Sequence, residues 1–111
     1  MNKILLIGRL VRDPEVIKTN EGKMFSKFTI AINNYKGSKE KTVDYVPVIT
    51  FSKTSEYASK YLKKGMLVSL VGRISTGNYE TKDGEKKYYI DVIANEVQIL
   101  SSASKKEIKE A

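Results

Sequence analysis

The stretch from Val43 to Ile74 reads VDYVPVITFSKTSEYASKYLKKGMLVSLVGRI, and its period changes in the middle. In Val43–Phe51, Val46, Val48 and Thr50 share one parity while Tyr45, Pro47, Ile49 and Phe51 share the other. That two-residue period predicts a strand. Pro47 brings no N–H to a ladder, which predicts an edge position or a bulge. Between Thr54 and Leu62 the period lengthens, and Tyr57, Ala58, Tyr61 and Leu62 fall on one helical face. Ser52 and Thr54 are candidate N-caps, Lys63 and Lys64 suit the negative end of the helix dipole, and Gly65 suits the residue just past it. From Leu67 alternation returns: Val68, Leu70 and Ile74 take one parity, with Gly72 between them, and Arg73, Ser75 and Tyr79 take the other.

Strand signals flank this core on both sides. Upstream, Ile4–Leu10 is short and almost continuously apolar, as in a strand covered on both faces, by the core and by another subunit. Asp13-Pro14 and Asn20-Glu21-Gly22 are turn signals. From Met24 to Asn33, Phe28, Ile30 and Ile32 alternate with Lys27, Thr29 and Ala31, so Phe28 is assigned to the core. The Lys-rich stretch Asn34–Lys41 reads as a loop. Downstream, Asp83-Gly84 marks a hairpin, and Lys86–Leu100 closes the sheet with Tyr88, Ile90, Val92 and Ala94 on one parity.

Three strands, one short helix and two long strands predict an all-β fold. The order fits an OB-fold, a five-stranded barrel with one short helix between strands 3 and 4. Closure also removes the exposed edges that so much strand would leave in a small chain. An SH3-like barrel or an irregular α+β sheet shares the pattern. Residues 1–100 read as one domain and residues 101–111 as a short flexible tail.

The 111 residues hold no Cys and no His. This excludes disulfides, thiolate metal sites and the commonest general base. The acidic residues are scattered, so no metal or other cofactor is expected, and an enzyme such as a nuclease is not expected on this barrel. No segment reaches the ~20 apolar residues of a membrane span. The first ten residues, MNKILLIGRL, run into Arg12 and Asp13 without a small-residue cleavage site. A cytoplasmic protein is expected.

Net charge is +7, and residues 1–100 alone, with 17 Lys and Arg against 11 Asp and Glu, carry +6 of it. The excess sits in the body and favours a polyanionic partner. Single-stranded nucleic acid is held by cations on phosphates and by flat rings on bases. Tyr45, Phe51 and Tyr79 lie on the parity opposite the core, with Lys53, Arg73 and Lys82 near them in sequence; Tyr35 lies beside Lys36. Rings placed in this way also serve subunit interfaces.

Three segments, NKILLIGRLVRDPE, YLKKGMLVSLVGRI and DGEKKYYIDVIANEVQIL, closely resemble the bacterial single-stranded DNA-binding protein family, and the likeness runs from Met1 to about Leu100. The resemblance implies an OB-fold that binds unpaired DNA with little sequence preference and assembles as a homotetramer, with dimer as the fallback. It implies protection of unpaired DNA in replication, recombination or repair. Tyr45 and Tyr79 fall where the family commonly carries stacking tryptophans, Phe51 falls at a stacking Phe, and Tyr35 is nearest to the fourth ring. Lys3, Lys53 and Lys64 match basic positions. Arg73, Lys82 and Lys87 complete the expected phosphate contacts. The family's acidic, Phe-ended tip has no counterpart in SSASKKEIKEA, so recruitment of other enzymes through such a tip is not expected. A primosomal replication protein of the same structural family, acting by protein contacts, is the alternative. The match of the first segment and of YLKKG favours DNA binding.

Overall fold

The protein is described by a computed structural model covering residues 1–36 and 40–102, with backbone alone for residues 35, 36 and 40. In chain order the elements are β1 (Ile4–Leu10), β2 (Glu15–Lys18), β3 (Met24–Lys36), β4 (Glu40–Phe51), α1 (Ser52–Tyr61), β5 (Leu67–Glu80) and β6 (Lys86–Ser101). β1 runs antiparallel to β5, with Leu6 opposite Leu70. β5 runs antiparallel to β6. β6 meets β4 in a short parallel contact, Val48 with Val92 and Ile49 with Ile93. β4 runs antiparallel to β3, and β3 returns to β1 at Arg9–Ala31 and Leu10–Ile30. Five strands thus pair in a closed ring. The helix falls between the third and fourth of them, the predicted OB-fold order.

β2 is the strand that periodicity did not reveal. It adds four residues, EVIK, to the outside of β3, too few to display a period. It is joined to β3 by the turn signalled by Asn20-Glu21-Gly22. That turn and the one at Asp83-Gly84 share one build. Thr19 N–H donates to Lys23 O and Gly22 N–H to Thr19 O; Thr81 N–H donates to Glu85 O and Gly84 N–H to Thr81 O. Gly22 and Gly84 have φ of +83° and +85°, the left-handed position of a three-residue hairpin loop.

The core is Leu10, Phe28, Ile30, Val48, Ala58, Leu62, Val68, Leu70, Val92 and Ala94. Alternation in β3, β4 and the ring part of β5 puts Phe28, Ile30, Val48, Val68 and Leu70 inside, as expected. The Ser26 and Thr50 hydroxyls are buried and hydrogen-bonded to each other across β3 and β4, which satisfies both where water does not reach. Ala58 of α1 and Leu62 just past it are buried, whereas Tyr61 is exposed and meets Tyr57 at a ring distance of 5.2 Å. Neither predicted N-cap acts as one: the capping position is Phe51, with no side-chain bond. Thr54 instead donates its hydroxyl to Asn95 O at 3.0 Å, tying the helix start to β6. Gly65 lies beyond the C-cap Leu62, in a turn where Met66 N–H donates to Lys63 O.

One further expectation is corrected. The predicted loop Asn34–Lys41 is mostly strand, with Asn34 opposite Thr42, Tyr35 opposite Lys41 and Lys36 opposite Glu40. The ribbon is polar on both faces, so hydropathy gives no sign of it. Residues 37–39 lie outside the described residues. In β6 the parity of Tyr88, Ile90, Val92 and Ala94 faces the core only at Val92 and Ala94. Tyr88 and Ile90 are exposed because the β5–β6 ladder continues past the ring, out to Glu80–Lys86.

Pro47 stands opposite Thr29. The Thr29 carbonyl accepts from Val11 N–H at 2.9 Å, on the β1 side. The pair is therefore a non-hydrogen-bonded one, and the missing proline N–H removes nothing from the β3–β4 ladder. The described pairing of β4 with β6 begins one residue later, at Val48, so the position is an edge in the predicted sense. β6 ends at Ser101; of the expected tail, residues 103–111 lie outside the described residues.

Candidate nucleic-acid interface

Register places the predicted rings on one surface. Val48 and Val92 are paired and both buried, so their neighbours Ile49 and Ile93 point outward. From there odd-numbered residues face out along β4 (Tyr45, Pro47, Ile49, Phe51) and along β6 (Lys87, Tyr89, Asp91, Ile93). The antiparallel ladder carries the same face to Arg73, Ser75, Gly77 and Tyr79 of β5. On the other side it carries it to Phe25, Lys27, Thr29 and Ala31 of β3. Four strands therefore share one outer face. Tyr45, Phe51 and Tyr79 are 63%, 47% and 56% exposed on it.

Near Tyr45 the face sinks into a groove of about 600 Å³. Pro47 and Ile49 line it from β4, Lys27 and Thr29 from β3, Asp91 from β6, and Arg12, Asp13 and Glu15 from the segment after β1. Three carboxylates against two cations make this groove no phosphate rail. The predicted cations that share the outer face lie on the other side of it. Arg73 and Lys87 are exposed on the β5–β6 ribbon, with Lys87 opposite Tyr79 and 3.5 Å from Glu85. Lys82 is exposed in the turn of that ribbon. Asn2 pairs with Ile74 through two 2.9 Å bonds, donating from Nδ2 to the carbonyl and accepting the N–H on Oδ1. This continues the β1–β5 register and brings exposed Lys3 opposite Arg73.

Two predicted cations stand apart. Lys53 lines a separate groove between α1 and the β5–β6 sheet, with Tyr57, Ser69 and Gln98. Lys64 is in the turn after α1, where its backbone N–H donates to Asp13 Oδ1 at 2.8 Å. It shares with the Tyr45 groove only that aspartate. Tyr35 occupies a β3 position opposite Lys41 rather than a loop; its side chain lies outside the described residues.

Sequence reasoning missed two rings. Phe25 stands opposite Phe51, ring centroids 5.9 Å apart and planes tilted by 37°. Tyr89 lies opposite Gly77. Both sit on the outward parity of their strands, so an aromatic where the pattern calls for a polar residue was the available signal. Among the described residues no group of three or more Asp and Glu side chains gathers as a metal site, and no helix is long and apolar enough to cross a membrane.

A closed five-strand ring with its helix in this position, and with exposed rings and cations on one outer face, defines an OB-fold protein with an aromatic, basic surface. Residues 1–100 match the Single-strand binding protein family, and the chain belongs to that family. It is similar to Single-stranded DNA-binding protein 1 of Staphylococcus aureus strain Mu50, 41% identical over 104 residues that make up 90% of this chain and 65% of the relative. Single-stranded DNA-binding protein 3 of Clostridium acetobutylicum is 38% identical over 106 residues, 94% of this chain and 74% of its own. Single-stranded DNA-binding protein 3 of Listeria innocua is 38% identical over 104 residues, 92% of this chain and 65% of its own. The chain thus spans about two thirds of the length of the Staphylococcus and Listeria relatives.

Proposed function

We propose that this chain binds unpaired DNA without sequence preference and performs no chemistry on it. Bases stack on Tyr45, Phe51 and Tyr79, with Tyr35 the expected fourth ring. Phosphates follow Lys3, Arg73, Lys82 and Lys87. Lys53 and Lys64, set apart from this face, would meet only a strand that wraps around the ring. The observation that carries the reading is the gathering of three separately predicted rings on one exposed face that also bears Arg73 and Lys87. Every base has a π-face, so such a surface is indifferent to sequence. Titration with oligo-dT and with a duplex of equal length, each at two salt concentrations, tests it. Tight binding of dT that weakens steeply with salt is expected, by counterion release. Equal affinity for the duplex would refute it.

The same chain is proposed to assemble with copies of itself. On β1, Leu5 and Ile7 are 69% and 57% exposed, on the face opposite Gly8 and Leu10. Two aliphatic side chains left in water on the outward face of a ring strand favour a subunit interface. A homotetramer is the expected state, and membership of the family and relatives named for single-stranded DNA binding support a role in replication, recombination or repair in the cytoplasm.

A further inference from the structure

Gly77 and Tyr89 form a cross-strand pair on the outer face of the β5–β6 ribbon. A methyl group built on Gly77 would overlap the Tyr89 ring, with Cε2 only 2.8 Å away and the hydroxyl and Cζ closer still. The hydroxyl end of the ring therefore lies over the glycine, in space that any other residue at position 77 would fill. The ring is still 43% exposed, so part of it is open to solvent.

Its place on the sheet matters as much as its posture. Tyr79 stands opposite Lys87, two residues and about 7 Å along β6 from Tyr89. Two residues further comes Asp91, which lines the groove with Tyr45 and Pro47. The β4–β6 contact at Val48–Val92 and the groove that Asp91 shares with Tyr45 put Tyr89, two residues before Asp91, on the ribbon side of Tyr45. Tyr89 thus fills the interval between the ring on the ribbon and the ring in the groove. On the same face, Lys87 precedes it by two residues.

We propose that Tyr89, seated over Gly77, is an additional base-stacking surface that joins Tyr79 to Tyr45 in one continuous track for a single strand. The inference rests on the proposed binding of unpaired DNA. A ring already seated before binding loses less freedom when a base settles on it, and the glycine supplies the seat.

The chain has no Trp, so Tyr89→Trp introduces a lone indole reporter over Gly77. Oligo-dT is expected to quench it with the midpoint of binding, and to leave the indole of Tyr88→Trp, on the opposite face of the ribbon, unquenched. Tyr89→Phe should bind as the parent does. Tyr89→Ala should lose about five- to a hundredfold in affinity with no change in the slope of log K against log salt, since no phosphate contact is lost. Gly77→Ala, which lifts the ring without removing it, should also weaken binding. If Tyr89→Trp binds dT but is not quenched, or if Tyr89→Ala binds like the parent while Tyr79→Ala and Tyr45→Ala are weakened, the joining role is overturned and the general reading stands. If the parent itself fails to bind dT, both fall together.

Discussion

At the scale of single residues, the outer face divides its work between rings and charges, and substitutions separate the two. Tyr79→Ala and Phe51→Ala each remove an exposed ring that is no part of the buried core. Each should cost about 1–3 kcal/mol of dT binding, read by fluorescence or anisotropy titration, with an unchanged unfolding midpoint. Phe51 makes the more demanding test because Phe25 lies against it; some of its loss will reflect a neighbour left unsupported. Arg73→Ala should act otherwise. Affinity should fall by a similar factor for every sequence, and the salt slope should shrink by about 0.7, the value for one phosphate contact on a single strand. In the core, the Ser55 hydroxyl is buried and has no hydrogen-bond partner among the described residues. An unsatisfied buried hydroxyl costs about 1–3 kcal/mol, and alanine is the better helix former. Ser55→Ala is therefore expected to raise the urea midpoint by the equivalent of about 1 kcal/mol, with DNA binding unaltered.

At the scale of elements, the β5–β6 hairpin does two jobs, and Gly72 lies just before they meet. The ladder stays in the ring through Ile74–Val92, where β6 still meets β4; beyond it a two-stranded ribbon carries Tyr79 and Tyr89 outward. The register shifts between Val71 and Gly72, a bulge that bends and twists the pair. A Cβ on Gly72 would overlap the Ile93 carbonyl and come within 2.9 Å of Ala94 Cα, backbone that has no freedom to move aside. Gly72→Ala is expected to destabilise by about 1–3 kcal/mol, as overpacking does, seen as a lower urea midpoint at constant m-value. A fully stable variant would show that the ring has slack there. The contrast with Gly77 lies in what the methyl meets: a movable ring in one case, a fixed carbonyl in the other. This is also where reading from sequence stops. Alternation marked the inward side of β3, β4 and the ring part of β5, because one face of each is buried. It marked Phe51 and Tyr45 as outward for the same reason. It did not show β2, too short to have a period, nor the end of β3, polar on both sides. It put Tyr88 and Ile90 on one parity with Val92 and Ala94, and nothing local says that the strand leaves the ring between them. It passed over Tyr89 and Phe25 because their meaning lies in the residue across the ladder, Gly77 or Phe51, and that pairing is a fact of register.

At the scale of the whole molecule, charge and oligomer state are linked. A net +6 on one small domain, residues 1–100, repels a second copy, so association needs an apolar surface large enough to outweigh it. Leu5 and Ile7 on β1 provide the beginning of one. The β1 edge facing away from β5 pairs with β3 only at Arg9 and Leu10, so among the described residues the stretch from Ile4 to Ile7 has no ladder partner on that side, and a second copy could pair there. Strand pairing and apolar packing through one element would bring two copies together about a two-fold axis, the commonest closed arrangement. Ile7→Glu places a carboxylate in that contact without touching the core, the rings or the cations. The parent should sediment as a tetramer, or at least as a dimer, and Ile7→Glu as a smaller species that keeps its strand content by circular dichroism. Per-chain affinity for a short dT oligomer should change little, because one outer face suffices to hold it. Affinity for a long oligomer should drop by much more, because separate faces no longer act at the high effective concentration that linkage gives them. A monomeric parent would remove β1 from this role. An Ile7→Glu variant that stays assembled would move the interface elsewhere on the ring, while the aromatic face would stand on its own evidence.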